Sequence, residues 1–69
     1  MQKFEYKFDT LPYNDENVRR VKDVLAKTTA TNHSLLRHDS GCVLAVVYLP
    51  SFMQFMTLEM LFRTAGLRS

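Results

Sequence analysis

The sequence predicts a small α+β fold, a two-layer sandwich of one sheet and two helices in the order β-α-β-β-α. Three observations support this fold class. Phe4, Tyr6 and Phe8 alternate with charged residues, which is typical of a strand with one buried face. Two segments carry apolar residues at helical spacing, and each follows a residue type that caps helices. Between them lies an apolar run, Cys42–Leu49, with the length of a strand.

The first strand is expected to end at Leu11-Pro12, because proline restricts the backbone and lacks an N–H donor. Asn14 or Asp15 can then cap a helix with an acidic first turn and Lys27 in its last turn, as the helix dipole favours. The apolar side of this helix consists of Val18, Val21, Val24 and Leu25.

A threonine-rich stretch follows the first helix and is expected to end it, since β-branched residues lower helix propensity. Its threonines are Thr28, Thr29 and Thr31. Residues 32–37 predict a second strand. The polar turn after that strand ends at Gly41, which can take a positive φ and lead into the third strand.

The second helix is predicted over residues 52–65, with Ser51 as the capping residue and Gly66 as the C-terminal ending. Residues 67–69 are expected to form a stub or a very short last strand. With both helices on one face of the sheet, this order matches the ferredoxin-like plan with its final strand truncated or missing. Residues 1–69 are therefore expected to form a single domain.

Composition restricts the function classes. The chain has 69 residues, a net charge of +2, 46% hydrophobic residues and 23% charged residues. This charge is too small to favour nucleic acid or a membrane surface as a partner, and no apolar run is long enough to cross a bilayer. Cys42 is the single cysteine, which favours a reducing compartment. The alternating charges of residues 3–9 argue against a signal peptide, so we expect a soluble cytoplasmic protein.

With this order of elements, the chain resembles the small heavy-metal-associated domains of the metallochaperone family over nearly its whole length. Phe4-Glu5-Tyr6-Lys7-Phe8 is similar to the family's first strand. Val18 and Val21 match the apolar positions that open its first helix, and Arg63-Thr64-Ala65-Gly66-Leu67 is similar to the end of its second helix. The resemblance implies the fold of this family.

The resemblance also argues against the family's activity. The defining motif of the family is Cys-x-x-Cys just before the valine that opens the first helix, and Asn14 and Asn17 occupy the two cysteine positions here. Soft metal ions need thiolates, which neutral amides replace poorly. Asp15 and Glu16 are too few to hold a hard ion. The segment is therefore interpreted as a helix cap.

Cys42 begins the third predicted strand, beside a turn that can bring His38 and Arg37 near it. A base or a cation close to a thiol can activate it, so this pair is a candidate site. No orienting group or oxyanion site is evident, however, and free cysteines are commonly small buried apolar residues. His33 and His38 are an odd number of strand positions apart, so we do not expect both to bind one metal. We expect neither an enzyme nor a bound cofactor.

Met53, Met56 and Met60 follow helical spacing on the second predicted helix. Thioethers can bind Cu(I), but methionines at this spacing usually form an adaptable packing surface. The same helix carries a second apolar stripe, formed by Phe52, Phe55, Leu58, Phe62 and Ala65. One stripe is enough to cover a small sheet, so the other indicates an interaction surface.

The third strand has a similar excess of apolar residues. The residues that can face the helices are Val43, Ala45, Val47 and Leu49. Leu44, Val46 and Tyr48 then face the other way, where they form an interaction surface or are shielded by long side chains of neighbouring strands. An RNA-binding sheet needs several exposed aromatic residues, and Tyr48 is the one aromatic on this face of the strand.

These observations favour a non-catalytic protein-interaction domain whose partner is another protein chain, most simply a copy of itself. Without a full fourth strand, the first strand has a free edge that can pair with another strand. The predicted interaction residues are Leu44, Val46, Tyr48, Met53, Met56 and Met60. The alternative is a metal-binding protein of the metallochaperone plan with altered ligands, for which Cys42, His38 and Met56 are the candidates.

Overall fold

The structure is a computed structural model that describes residues 1–28 and 32–68. The predicted order β-α-β-β-α is confirmed. The elements are β1 (Gln2–Pro12), α1 (Asp15–Ala26), β2 (His33–Arg37), β3 (Cys42–Leu49) and α2 (Phe52–Thr64). β2 begins at His33, one residue later than expected, and α2 ends at Thr64 with Ala65 as its C-cap. The expected roles of Thr29 and Thr31 lie outside the described residues.

The sheet has three antiparallel strands in the order β1-β3-β2. Ala45 of the central strand β3 lies opposite Tyr6 of β1 on one side and Leu35 of β2 on the other. Because side chains alternate between the faces of a sheet, these three residues lie on the same face. A central strand is covered by neighbours along both edges, which explains why β3 is apolar throughout.

The hydrophobic core lies between one face of this sheet and the two helices. Val21 and Leu25 of α1 and Leu58 and Phe62 of α2 are buried in one cluster with alternate residues of β1 and β3. The Phe62 ring contacts the ring of Tyr6 edge-on, with ring centroids 5.1 Å apart. The structure is therefore a small α+β fold with the layers of a two-layer sandwich.

β1 contains an irregularity near its end that changes the face of the sheet on which the side chain of Leu11 lies. Phe8 pairs with Val43, but the next paired residue is Pro12, which lies opposite Cys42. The extra residues of β1 form a bulge-like irregularity, which shifts the alternation of faces. As a result Leu11 is buried in the core, although it is odd-numbered and the other buried residues of β1 are even-numbered. The strand does end at Pro12, as expected.

The end of α1 differs from the prediction. Lys27 is the C-cap residue, and the last turn of the helix contains no basic residue. The Thr28 hydroxyl instead donates to the carbonyl of Leu25 at 2.8 Å. The dipole argument for Lys27 in the last turn is therefore wrong, and local hydrogen bonds from residues 27 and 28 close this helix.

The end of α2 agrees with the alternative of a missing final strand for residues 67 and 68, and Ser69 lies outside the described residues. Gly66 has a φ of 77°. The N–H of Leu67 donates to the carbonyl of Phe62, and the N–H of Gly66 donates to the carbonyl of Arg63, both at 3.0 Å. These two bonds define a Schellman ending. Leu67 is buried in the core as a consequence, and neither Leu67 nor Arg68 belongs to a strand.

Candidate functional site

The segment at the start of α1 is a helix cap, as the sequence predicted. Asn14 has an extended backbone, and its side-chain oxygen accepts a hydrogen bond from the N–H of Asn17 at 2.8 Å. Its carbonyl accepts from the N–H of Val18 at 2.9 Å. The bond from Val18 is the first regular bond of the helix, and the cap satisfies the N–H of Asn17, one of those that a helix start leaves without a partner.

Asn17 has a structural role beyond the cap that the sequence did not indicate. Its side chain is buried, and its Nδ2 donates to the carbonyl of Pro12 at 2.8 Å. Its Oδ1 accepts a hydrogen bond from Arg20 at 3.4 Å. Asn17 therefore ties the end of β1 to the first turn of α1. The amides at the two positions where the resemblance places thiolates both take part in hydrogen bonds that hold the fold.

The turn between β2 and β3 brings Cys42, Ser40 and His38 together. The N–H of Ser40 donates to Nδ1 of His38 at 3.1 Å, so Nδ1 is the acceptor of this hydrogen bond. The Ser40 hydroxyl lies 2.9 Å from the same Nδ1 and 3.3 Å from the Cys42 sulfur. The geometry therefore has the hydroxyl donating to the imidazole and accepting from the thiol.

This cluster links the expected thiol and imidazole through Ser40, whose part in it no sequence pattern indicated. Cys42 is only 4% exposed, so its sulfur is poorly placed to meet a substrate. His33 lies in β2 opposite Val47, away from the turn. Within residues 1–28 and 32–68, no group of three or more histidine, cysteine, aspartate or glutamate side chains is arranged to hold a metal ion.

The most exposed apolar surface of the described chain lies on α2. Phe52, Met56 and Met60 are spaced four residues apart, so they lie along one side of the helix, with Met53 beside them. Met53 is 77% exposed and Met60 is 66% exposed, and the other two are also classed as exposed. We call these four residues the α2 face. Phe52 shares an apolar stripe with Leu58 and Phe62 in the sequence, but these two are buried whereas Phe52 belongs to the exposed surface.

The α2 face borders the free edge of β1. The Phe52 ring contacts the ring of Phe4 on β1, with centroids 6.5 Å apart. Farther along the helix, Glu59 forms an ion pair with Arg68 at 3.5 Å, and Arg68 donates to the carbonyl of Lys7 on β1 at 3.0 Å. Two separate contacts therefore connect this side of α2 to β1.

The outer face of the sheet, opposite the helices, is less open than a bare sheet. Val46 is only 8% exposed and Leu44 is half-buried, whereas Tyr48 is exposed. The register places Lys7 and Leu36 on either side of Leu44, and long side chains of this kind can cover a central strand. Leu36 is 48% exposed and was not among the predicted interaction residues. Its pairing with Leu44 could have indicated it.

A groove of about 250 Å³ lies on the opposite side of α2, where this helix meets the end of α1. It is lined by Lys27, Thr28, Leu49, Gln54, Thr57, Leu58 and Leu61. The exposed surface of the lining is mainly apolar, and no sequence pattern predicts the groove. Its volume is below the range of small-molecule sites, which begins at about 300 Å³.

Tyr6 has the most perturbed environment among the titratable groups that the structure describes. Its ring is buried, and its hydroxyl donates to the carbonyl of Phe55 at 2.8 Å. Burial raises the pKa of this phenol strongly, the nearby Glu59 carboxylate raises it further, and Arg68 lowers it in part. The phenol therefore stays neutral and connects the sheet to α2.

Comparison with protein-family models, with curated proteins and with solved structures finds no match to this chain. In the described part of the chain, neither helix has the length and apolar character needed to cross a membrane.

Proposed function

We propose that this chain is a non-catalytic protein-interaction domain that self-associates through the α2 face. The observation that carries the proposal is the exposure of Phe52, Met53, Met56 and Met60 on one side of one helix. A cluster of large apolar side chains is unfavourable in water and commonly marks an interface. Methionine suits such a surface because its unbranched side chain adapts to an opposing surface.

Self-association is the simplest use of this face. Burying one Met or Phe side chain fully contributes about 1.5–3 kcal/mol, whereas association costs roughly 4–15 kcal/mol in lost freedom of motion. Burial of the four side chains of one α2 face therefore contributes a free energy similar to the cost of association. In a two-fold symmetric dimer the same patch is used by both chains, so the apolar contribution doubles.

The finer fold that we propose is the ferredoxin-like plan without its final strand. The sheet order β1-β3-β2 and the position of both helices in one core support it. This plan agrees with the resemblance to heavy-metal-associated domains. The amides of Asn14 and Asn17 are engaged in hydrogen bonds and Nδ1 of His38 is engaged with Ser40, which does not favour a metal-handling role. The single cysteine supports a reducing compartment such as the cytoplasm.

The test is sedimentation velocity of the whole chain over a range of concentrations. We expect the sedimentation coefficient to rise with concentration, and the Met56→Glu/Met60→Glu variant to remain a monomer. Leu36→Glu is the control for adding a negative charge to an exposed apolar position, since it places one such charge on an exposed leucine of the other sheet face, away from α2. Circular dichroism of each variant checks that it is folded.

A monomer of 8.0 kDa at every concentration of the wild-type chain contradicts the proposal. Equal self-association of the wild-type chain and the Met56→Glu/Met60→Glu variant also contradicts it, because the α2 face then has no part in the contact.

A further inference from the structure

We propose that two copies of this chain pair through their β1 edges, antiparallel and in a register centred on Tyr6, which joins their sheets into one. The inference deepens the proposed self-association and rests on it, since it specifies where and how the second copy binds. It is carried by three observations: the direction of the backbone groups of β1, the sequence of charges along that strand, and the position of the α2 face beside it.

The backbone groups of Lys3, Glu5 and Lys7 point away from β3. The carbonyl of Lys7 accepts its hydrogen bond from the Arg68 side chain and not from β3. On the central strand, the N–H of Tyr48 donates to the carbonyl of Asn32, on the side away from β1, and Tyr48 lies opposite Lys3. In an antiparallel pair, such residues form the non-hydrogen-bonded positions, and they recur every second residue.

The edge of β1 therefore presents N–H and C=O groups at Lys3, Glu5 and Lys7, which precede the irregularity after Phe8. In the described residues β1 pairs with β3 alone, so these backbone groups form an open edge. Lys3 forms an ion pair with Glu5 at 3.8 Å, and Lys7 forms one with Asp9 at 3.3 Å. All four side chains thus lie on the outer face, in the order positive, negative, positive, negative.

This order of charges is complementary to itself when the second strand runs antiparallel. A register centred on Tyr6 places Lys3 opposite Asp9 and Glu5 opposite Lys7 of the second copy, and the two-fold axis repeats both pairs. The outward-pointing N–H and C=O groups of Glu5 and Lys7 then meet, as an antiparallel ladder requires. Opposite charges on directly opposed residues favour a register, and like charges oppose it.

The neighbouring registers with the same backbone pairing are disfavoured by charge. Centring on Glu5 places Glu5 opposite itself and Lys3 opposite Lys7 of the second copy. Centring on Lys7 places Lys7 opposite itself and Glu5 opposite Asp9. Centring on Phe4 keeps opposite charges together but shortens the overlap of the two strands. Centring on Phe8 keeps Lys7 opposite Asp9 but places Glu5 opposite Leu11 and moves the pairing into the irregular part of β1.

The same pairing brings the β1 sides of the two α2 helices, each with Phe52 of its α2 face, toward one another. Phe52 lies against Phe4, and Glu59 is connected to Lys7 through Arg68, so this side of α2 faces the open edge. A second copy joined along β1 places its own α2 on the other side of the two-fold axis. Pairing also replaces the bond from Arg68 to the Lys7 carbonyl by one from the N–H of Glu5 of the second copy.

Charge reversal tests the register. Lys7→Glu alone and Glu5→Lys alone each place like charges at position 5 and at the opposing position 7 of the second copy. The two-fold symmetry repeats this unfavourable pair, so it occurs twice in the dimer. We expect each single reversal to raise the dissociation constant of the dimer about tenfold. The Glu5→Lys/Lys7→Glu variant restores opposite charges across the interface and is expected to return the dissociation constant to that of the wild-type chain.

The double variant also separates this proposal from an effect within one chain. Within a chain it places a positive charge at position 5 beside Lys3 and a negative charge at position 7 beside Asp9, so both ion pairs of β1 are lost. If the reversals act through the stability of the monomer, the double variant has a higher dissociation constant than either single variant. That result, or unchanged dissociation constants for both single variants, overturns the register.

Cross-linking provides a second measurement that does not depend on charge. Mixing a chain with Lys3→Cys and a differently tagged chain with Asp9→Cys under mild oxidation is expected to give a mixed disulfide dimer. The Lys3→Cys chain alone and the wild-type chain, with only the buried Cys42, are expected to give none. Equal cross-linking in all three samples overturns the register.

These outcomes distinguish the register from the proposed function. If Met56→Glu/Met60→Glu abolishes self-association while the charge variants and cross-links show no register, self-association through the α2 face stands and the β1 pairing is wrong. If the wild-type chain is a monomer at every concentration, both proposals are wrong.

Discussion

At the scale of single residues, Tyr6 connects the two layers of the molecule. Its hydroxyl donates to the Phe55 carbonyl on α2, and its ring packs against Phe55 and Phe62. Phe8, its neighbour in the core on β1, supplies apolar contact alone. The phenol of Tyr6 also fixes the position of α2 through a directional hydrogen bond. A buried hydroxyl with a partner costs little, whereas one without a partner is destabilising.

We expect Tyr6→Phe to lower the free energy of unfolding by about 1 kcal/mol at neutral pH, because it removes one partly buried hydrogen bond. Burial raises the pKa of Tyr6 in the folded state above the value of about 10 that a tyrosine has when unfolded. The contribution of the neutral phenol is thus complete below about pH 10 and is lost as the pH rises above it. Urea unfolding of both chains from neutral to alkaline pH measures this difference.

The difference between the two chains is expected to shrink as the pH increases, since only the wild-type chain loses stability through this phenol. Lysine titration affects both chains equally and cancels in the comparison. A difference that stays constant up to about pH 11 contradicts the assignment of the raised pKa to the folded state.

The cap residue Asn14 gives a second prediction at this scale. Asn14→Ala is expected to lower the free energy of unfolding by about 1 kcal/mol, since the N–H of Asn17 loses its acceptor. Asn14→Asp is the matched control, because it keeps an oxygen acceptor and adds a negative charge at the helix start. Urea unfolding measures both variants, and equal losses in the two argue against a capping role.

At the scale of elements, the periodicity of apolar residues predicted all five helices and strands of the described chain, with ends within a few residues. The departures arise where a tertiary contact decides the outcome. Leu11 is buried because β1 becomes irregular against β3, and no local pattern encodes that shift. Leu67 is buried because the backbone turn at Gly66 directs it back to Phe62.

The candidate site was also predictable only where it depends on local spacing and not on tertiary contacts. The methionine spacing predicted an exposed side of α2, and the exposure of Met53, Met56 and Met60 agrees with it. The shielding of Val46 was left open as an alternative, because it depends on side chains from both neighbouring strands. The contact from Arg68 to the Lys7 carbonyl joins residues at opposite ends of the chain, and sequence spacing carries no information about it.

The Schellman ending of α2 gives a prediction for this element. Gly66→Ala is expected to lower the free energy of unfolding by about 1 kcal/mol, because Gly66 has a φ of 77° and side chains disfavour that backbone conformation. A Cβ there meets no atom within 4 Å, so the cost comes from the backbone and not from a clash. Thermal unfolding measures the loss.

Gly66→Asn is the matched control for this variant, since asparagine tolerates a positive φ better than alanine does. We expect it to be more stable than Gly66→Ala despite its larger side chain. The opposite order would indicate that space near Leu67, and not backbone conformation, limits this position.

At the scale of the whole molecule, one sheet face is covered by helices and the other is covered only by side chains. A domain of 69 residues buries a modest share of its surface, roughly 60%, and its stability is correspondingly small. Binding a second copy adds buried surface without adding chain length. Folding and self-association are therefore expected to be coupled in this protein.

This coupling predicts a melting temperature that depends on concentration. Only the folded chain presents the α2 face, so association stabilises the folded state more as the concentration rises. Above the dissociation constant we expect the melting temperature to rise by about 3–5 °C for each tenfold increase in concentration. Met56→Glu/Met60→Glu is expected to abolish the dependence, and Leu36→Glu is expected to retain it. Since both variants add charge to exposed apolar positions, a loss of the dependence in both would show that the α2 face is not where the chains meet.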